Sequence, residues 1–197
     1  MSRSTQNWSA PMRITLLAAA TAVFLTACGS APKKPAGPNI PTLSTAKQAT
    51  ANLASASGSL VSGKVTLVPM GAGGVHLTGT VGGLPANSTH GFHIHEKGDC
   101  SAVDGSSAGP HFNPFTSVHG RASAGDHHSG DMDNVVSNAE GVVQLNVHVG
   151  GVTLGGGAVN DIAGRALVVH AAADDYTSQP AGNAGARVAC GVITVTQ

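Results

Sequence analysis

At 197 residues, of which about 150 remain once an atypical N-terminal stretch is set aside, the chain has room for one domain with a real core. All ten Asp and Glu lie from Glu96 onward, while five of the ten Lys and Arg lie at or before Lys47. Residues 48–197 therefore carry a formal charge of −5, which excludes a nucleic-acid partner needing a basic face. Three cysteines are too few for Cys-rich zinc or iron–sulfur sites, and ten histidines against six aromatic residues put the metal chemistry in imidazole.

In chain order, Arg13 precedes an apolar run from Ile14 to Leu25, which meets Leu25-Thr26-Ala27-Cys28. A short basic region, an apolar stretch and small residues before a cut describe a secretory signal peptide over 1–27. Twelve residues rise about 18 Å as a helix, short of the ~30 Å hydrocarbon core. Met12-Arg13 is a more ordinary start than Met1. Leu25-Thr26-Ala27-Cys28 resembles a bacterial lipobox, which would make Cys28 the lipidated mature N-terminus, and Gly29 rather than Asp after it disfavours inner-membrane retention in a Gram-negative cell. The expected location is outside the cytoplasm, as a periplasmic or outer-membrane-anchored lipoprotein. Residues 28–47, with Pro32, Pro35, Pro38 and Pro41, read as a tether unable to bury enough apolar area to order itself, and 48–197 as the domain. If Cys28 carries lipid, the remaining pair, Cys100 and Cys190, is expected to form a disulfide after export; two buried free thiols are the alternative.

Within the domain, glycine is abundant and no long 3.6-residue stripe appears. Short strand-like runs recur instead at 49–55, 62–68, 75–81, 91–96, 142–149, 166–170 and 188–195, separated by Gly, Pro, Asn and Ser clusters. That is the pattern of an antiparallel sandwich or barrel. Gln144, Asn146 and His148 alternate on one strand face and His76 alternates with Val75 and Leu77, so both histidines read as outward, solvated residues. From 97 to about 134 no period holds. A loop that long is uncommon unless something other than its own core holds it, and here it contains Cys100, His111, His119, His128 and Asp131.

His93 and His95 carry the sharpest local signal. Strand side chains have a period of two, so both imidazoles project from one face while Ile94 points to the core. Gly91-Phe92-His93-Ile94-His95-Glu96, Ser107-Ala108-Gly109-Pro110-His111-Phe112-Asn113-Pro114, Leu167-Val168-Val169-His170 and Gly182-Asn183-Ala184-Gly185-Ala186-Arg187-Val188-Ala189-Cys190-Gly191 together resemble copper/zinc superoxide dismutase, from about Ala49 to the C-terminus. The resemblance implies an all-β, eight-stranded antiparallel Greek-key β-barrel or sandwich with long metal-binding and electrostatic loops.

It further implies copper on His93, His95, His111 and His170, and zinc on His111, His119, His128 and Asp131, with His111 bridging the two. Four nitrogens suit tetragonal copper, and three imidazoles with a carboxylate suit closed tetrahedral zinc. His128-Ser129-Gly130-Asp131 fits the family's His-x-Gly-Asp better than a register through His127. By resemblance Asp174 accepts hydrogen bonds from ligands of both metals, His90 is structural, and Arg187 receives the superoxide anion. The implied activity is conversion of superoxide to dioxygen and hydrogen peroxide, with His111 taking part in proton supply; a homodimer is compatible with it. Between Asp174 and Arg187 no Lys or Arg occurs, so attraction would rest on Arg187, the metals and Lys97. Competing readings on the same fold are a copper-delivery module, which needs no docking arginine, and a metal-free barrel, which would have lost ligands.

Overall fold

The structure, a computed structural model, describes residues 39–197 apart from 72. The signal peptide, Cys28 and the first part of the tether lie outside the described residues. Ten strands follow in chain order: β1 (Ala49–Ser55), β2 (Ser62–Pro69), β3 (Val75–Gly82), β4 (Thr89–His90), β5 (Phe92–His95), β6 (Val135–Val136), β7 (Val143–Val149), β8 (Ala166–His170), β9 (Arg187–Val192) and β10 (Thr194–Val195). Among the described residues the one helical segment is a 3₁₀ turn, Ser106–Ala108, and no helix is long and apolar enough to cross a membrane.

Eight strands form one antiparallel sheet in the order β5-β8-β9-β1-β2-β3-β7, with β10 also pairing β1. β1, β2 and β3 follow one another as a meander. The chain then crosses to β5 at the far edge, returns to β7 beside β3, and crosses again to β8 between β5 and β9. These are the Greek-key crossovers that the sequence leads one to expect, and the sheet curls into a half-barrel around its core. Neighbouring the two edge strands, β4 and β6 pair with each other. At two residues each they are too short to leave a period in the sequence.

Alternation decides what the core contains. Ala49, Ala51 and Leu53 of β1, Val65 and Leu67 of β2, and Val75, Leu77 and Val81 of β3 are all buried in one cluster. Polar residues between them face outward, His148 and His76 included; the two stand directly opposite each other on β7 and β3. The run expected over 188–195 is divided at Ile193, whose buried side chain marks the break between β9, which pairs β8, and β10, which pairs the start of β1.

The end of the expected tether is part of the folded unit. Asn160 Nδ2 donates to the Pro41 carbonyl at 2.8 Å, Leu154 N–H donates to Ser44 Oγ at 2.9 Å, and Ala46 and Lys47 N–H donate to Leu154 and Gln197 carbonyls at 3.0 and 2.7 Å. Composition predicts a solvated segment here because it registers how little apolar surface the segment has; it does not register unpaired backbone groups on a neighbouring loop and the C-terminus.

Candidate metal centre

β5 divides its residues between two environments. Phe92 and Ile94 enter the main core, as expected for Ile94, and His93 and His95 take the opposite face, fully buried beneath the long loop. In register with them on β8 stand Val168 and Ala166, whose face packs with Ala108, Cys190 and Cys100 in a second cluster. Cys100 and Cys190 form the disulfide, with Cα atoms 5.7 Å apart. The long irregular segment is thereby fastened to β9 over the outer face of the sheet.

The same segment covers the edge of β5. Phe112 N–H donates to the Ile94 carbonyl at 2.8 Å, Ile94 N–H to Gly130 at 2.9 Å, and Gly130 N–H to Phe112 at 2.8 Å. An edge strand that would offer unpaired groups to solvent is thus paired with loop backbone. This pairing sets His111 across from His95. Gly130 is required here, since a Cβ at that position would strike the Ile94 carbonyl.

The result is two groups of buried donors sharing one residue: His93, His95, His111 and His170, and His111, His119, His128 and Asp131, with the ligand atoms of each group within 4.8 Å of one another. All seven side chains singled out as ligands in the sequence are therefore together. His127 belongs to neither group; its Nδ1–H donates to the His128 carbonyl at 2.7 Å. His90 is held by the His170 carbonyl at 2.9 Å and Ser88 Oγ at 2.6 Å, the structural role expected of it.

In four of the six rings, hydrogen bonds to the outer nitrogen decide which nitrogen is left to bind a metal. His95 Nδ1 donates to the Gly109 carbonyl at 2.8 Å and His170 Nδ1 to Gly185 at 3.3 Å, leaving their Nε2 lone pairs facing each other 3.3 Å apart. His93 Nε2 and His119 Nε2 donate to the two oxygens of Asp174 at 2.9 and 3.0 Å, leaving both Nδ1 atoms unprotonated. His93 Nδ1, His111 Nε2 and His119 Nδ1 are buried without a hydrogen-bond partner. His119 Nδ1 does lie 3.1 Å from Asp131 Oδ2, but these are two acceptors with no proton between them, so this contact is a gap for a cation rather than an ion pair. Buried lone pairs converging without donors are costly unless a cation satisfies them. The donor set fits both metals: imidazole alone on one side, imidazole plus carboxylate on the other.

Electrostatics agree with this assignment. Burial pushes His95 down to about 2, His170 to about 3 and His111 to about 4, with neighbouring imidazoles adding to the effect, so these rings are neutral at pH 7. Burial opposes ionisation of Asp131 and Asp174. Hydrogen bonds from His111 and His128 to the first, and from His93 and His119 to the second, nevertheless hold both carboxyls below the usual range.

Asp174 is itself positioned by two residues that sequence reasoning missed or passed over. Asn134 brackets its backbone, donating from Nδ2 to the Asp174 carbonyl at 2.8 Å and accepting the Asp174 N–H at 2.9 Å. Gly182, at φ 67°, lies so close that a Cβ would collide with Asp174 Oδ1 and come within 2.7 Å of His119 Nε2. Asn134 had no detectable signal, because its contacts run to the backbone of a residue 40 positions away. Arg187 donates from Nη1 and Nη2 to the Gly105 and Gly109 carbonyls at 2.6 and 2.7 Å, so carbonyls rather than a carboxylate hold it. It lines a cavity of ≈910 Å³ together with His95, His111 and His170.

Comparison with known proteins supports the same conclusion from sequence and fold. The copper/zinc superoxide dismutase (SODC) family model matches residues 61–193. Superoxide dismutase [Cu-Zn] 2 of Aquifex aeolicus is 43% identical over 136 residues, 68% of this chain and 79% of that protein. Superoxide dismutase [Cu-Zn] 2 of Mesembryanthemum crystallinum is 41% identical over 140 residues, 68% and 86% of the two chains. Among solved structures, the clock protein EA4 superposes with a TM-score of 0.69 at 37% identity, covering 78% of this chain and 98% of that one. A double mutant of a SOD-like protein from Bacillus subtilis gives 0.67 at 34% identity, over 74% and 96%. With its buried donor groups, its curled antiparallel sheet and these relatives, the chain belongs to the copper/zinc superoxide dismutase family, and it is an oxidoreductase of that family with copper and zinc as cofactors.

Proposed function

We propose that the two donor groups form one bridged centre and that the protein dismutates superoxide there, outside the cytoplasm. His93 Nδ1 and the Nε2 atoms of His95, His111 and His170 would hold copper; the Nδ1 atoms of His111, His119 and His128 with Asp131 would hold zinc, which would take the place of the protons through which His111 and His128 bond Asp131. The observation carrying this reading is His111, whose Nδ1 lies 2.7 Å from Asp131 Oδ1 while its buried Nε2 has no partner and faces the other group. Bound copper supplies one-electron chemistry, by which one superoxide is oxidised to dioxygen and a second, with two protons, is reduced to hydrogen peroxide.

The chain's own residues do the rest. His111 Nε2 is the atom able to hold a proton beside the substrate, while its other nitrogen keeps the ring in place. Asp174 accepts from His93 and His119 and so fixes the tautomer and plane of one ligand in each group, the usual role of an outer hydrogen-bond partner. Arg187, immobilised by two carbonyls, presents positive charge in the cavity where an anion docks. The location reading rests on the apolar run before Cys28, with lipid on that cysteine as the anchor and the periplasm or outer membrane as the site.

The test compares the chain from Gly29 onward, loaded with copper and zinc, with its His170→Ala variant. Loss of dismutation on loss of copper, with zinc retained, is the expected result. An inactive parent with both metals present would favour a metal-handling role instead.

A further inference from the structure

The sequence left the attraction of an anion to a net-acidic domain resting on Arg187, the metals and Lys97. The structure places Lys97 on the surface with its stem along Gly109, and it does not line the cavity. The cavity has three charged side chains in its wall: Arg187, Glu96 and Arg165. Arg165, which precedes β8, is built into that wall. Its guanidinium lies over the ring of Phe112, next in the chain to His111, at 3.8 Å. Its Nε donates to the Asp161 carbonyl at 2.9 Å and its Nη1 to the Glu96 carbonyl at 2.6 Å. Both contacts are to carbonyls, and the Glu96 and Asp161 carboxylates act on its charge through space without hydrogen-bonding it. The Asp161 carboxylate is turned to the backbone N–H groups of Gly155, Gly157 and Ala163, and no ion pair forms on the arginine among the described residues.

We infer that Arg165 is a second substrate-guiding cation of this cavity, held rigid by Phe112 and two carbonyls so that its charge adds to that of Arg187 along the approach of superoxide. Glu96 on the same wall works against it. Charge of one sign on a low-dielectric wall raises the local concentration of a small counter-charged substrate, and salt screens the effect. This inference deepens the dismutase reading and rests on it.

The experiment uses the copper- and zinc-loaded protein with Arg165→Gln, Arg165→Lys and Glu96→Gln. It reads kcat/KM from about 10 to about 200 mM ionic strength, over which the Debye length falls from about 30 to about 7 Å, and azide affinity from the visible copper spectrum. Arg165→Gln is expected to lower both by about two- to fivefold at low salt and to flatten the salt dependence. Arg165→Lys should keep most of both, and Glu96→Gln should raise both. Glu96 hydrogen-bonds Arg165 through its backbone carbonyl and acts on it from its carboxylate only through space, so that variant keeps the wall intact and carries the test if Arg165→Gln fails to fold. Unchanged salt dependence and azide affinity in Arg165→Gln, loss in Arg165→Lys equal to that in Arg165→Gln, or no response in Glu96→Gln would overturn the inference. An inactive parent would refute the dismutase reading instead, and azide binding would still report on Arg165.

Discussion

Replacing Gly182 with alanine adds one methyl group at a point where the structure has no room for it. Two costs follow, and they can be separated. The backbone cost of a Cβ at φ 67° is about 1–2 kcal/mol. The second cost is local: the methyl would overlap Asp174 Oδ1 and crowd His119 Nε2, so the carboxylate must leave the position from which it accepts from His93 and His119. Loss of such an outer partner typically weakens metal binding by about 10–100-fold, or about 1.4–2.7 kcal/mol at 1.36 kcal/mol per tenfold. Gly157→Ala is the control. It has nearly the same φ, 70°, and nothing within 4 Å of an added Cβ, so it bears the backbone cost alone. Zinc affinity measured by chelator competition should fall in Gly182→Ala and hold in Gly157→Ala, while the thermal midpoint drops in both. Equal zinc affinity in the two variants would refute the idea that Asp174 orients the ligands.

Two other outcomes are expected. Replacing Cys100 and Cys190 by serine opens a loop with a sequence separation of 90 residues. By chain entropy this should destabilise the fold by roughly 4–5 kcal/mol, and a drop in thermal midpoint of only a degree or two would contradict that. For pH, three buried imidazoles have folded values of about 4, 3 and 2 against an ordinary 6.5. Between those limits the unfolded chain binds more protons than the folded one, so stability rises with pH. Metal-free protein should therefore lose stability steadily as pH falls from about 7 toward 4. A flat thermal midpoint from pH 7 to 5 would mean that burial does not hold these rings neutral.

Most of the candidate metal centre could be read in the sequence because one pair of histidines is marked by spacing and the others stand in motifs that resemble those of the family. His93 and His95 share a strand face through a period of two, and His-x-Gly-Asp places His128 and Asp131 on one turn. What stayed hidden depends on residues brought together from afar. Asn134 meets Asp174 through backbone groups, Arg165 reaches the cavity only because β8 lies beside β5, and residues 41–47 order only because a loop more than a hundred residues later offers carbonyls and amides.

The sequence by itself determined the strand faces through local period, and through motifs resembling those of the family it named the residues expected as ligands, His128 rather than His127 among them. The tertiary structure decided which ring nitrogen of His93, His95, His119 and His170 is left to bind a metal. That choice belongs to the hydrogen bond on the opposite nitrogen, whose acceptors, Gly109, Gly185 and Asp174, come from loops that only the folded sheet and the Cys100–Cys190 link bring into range.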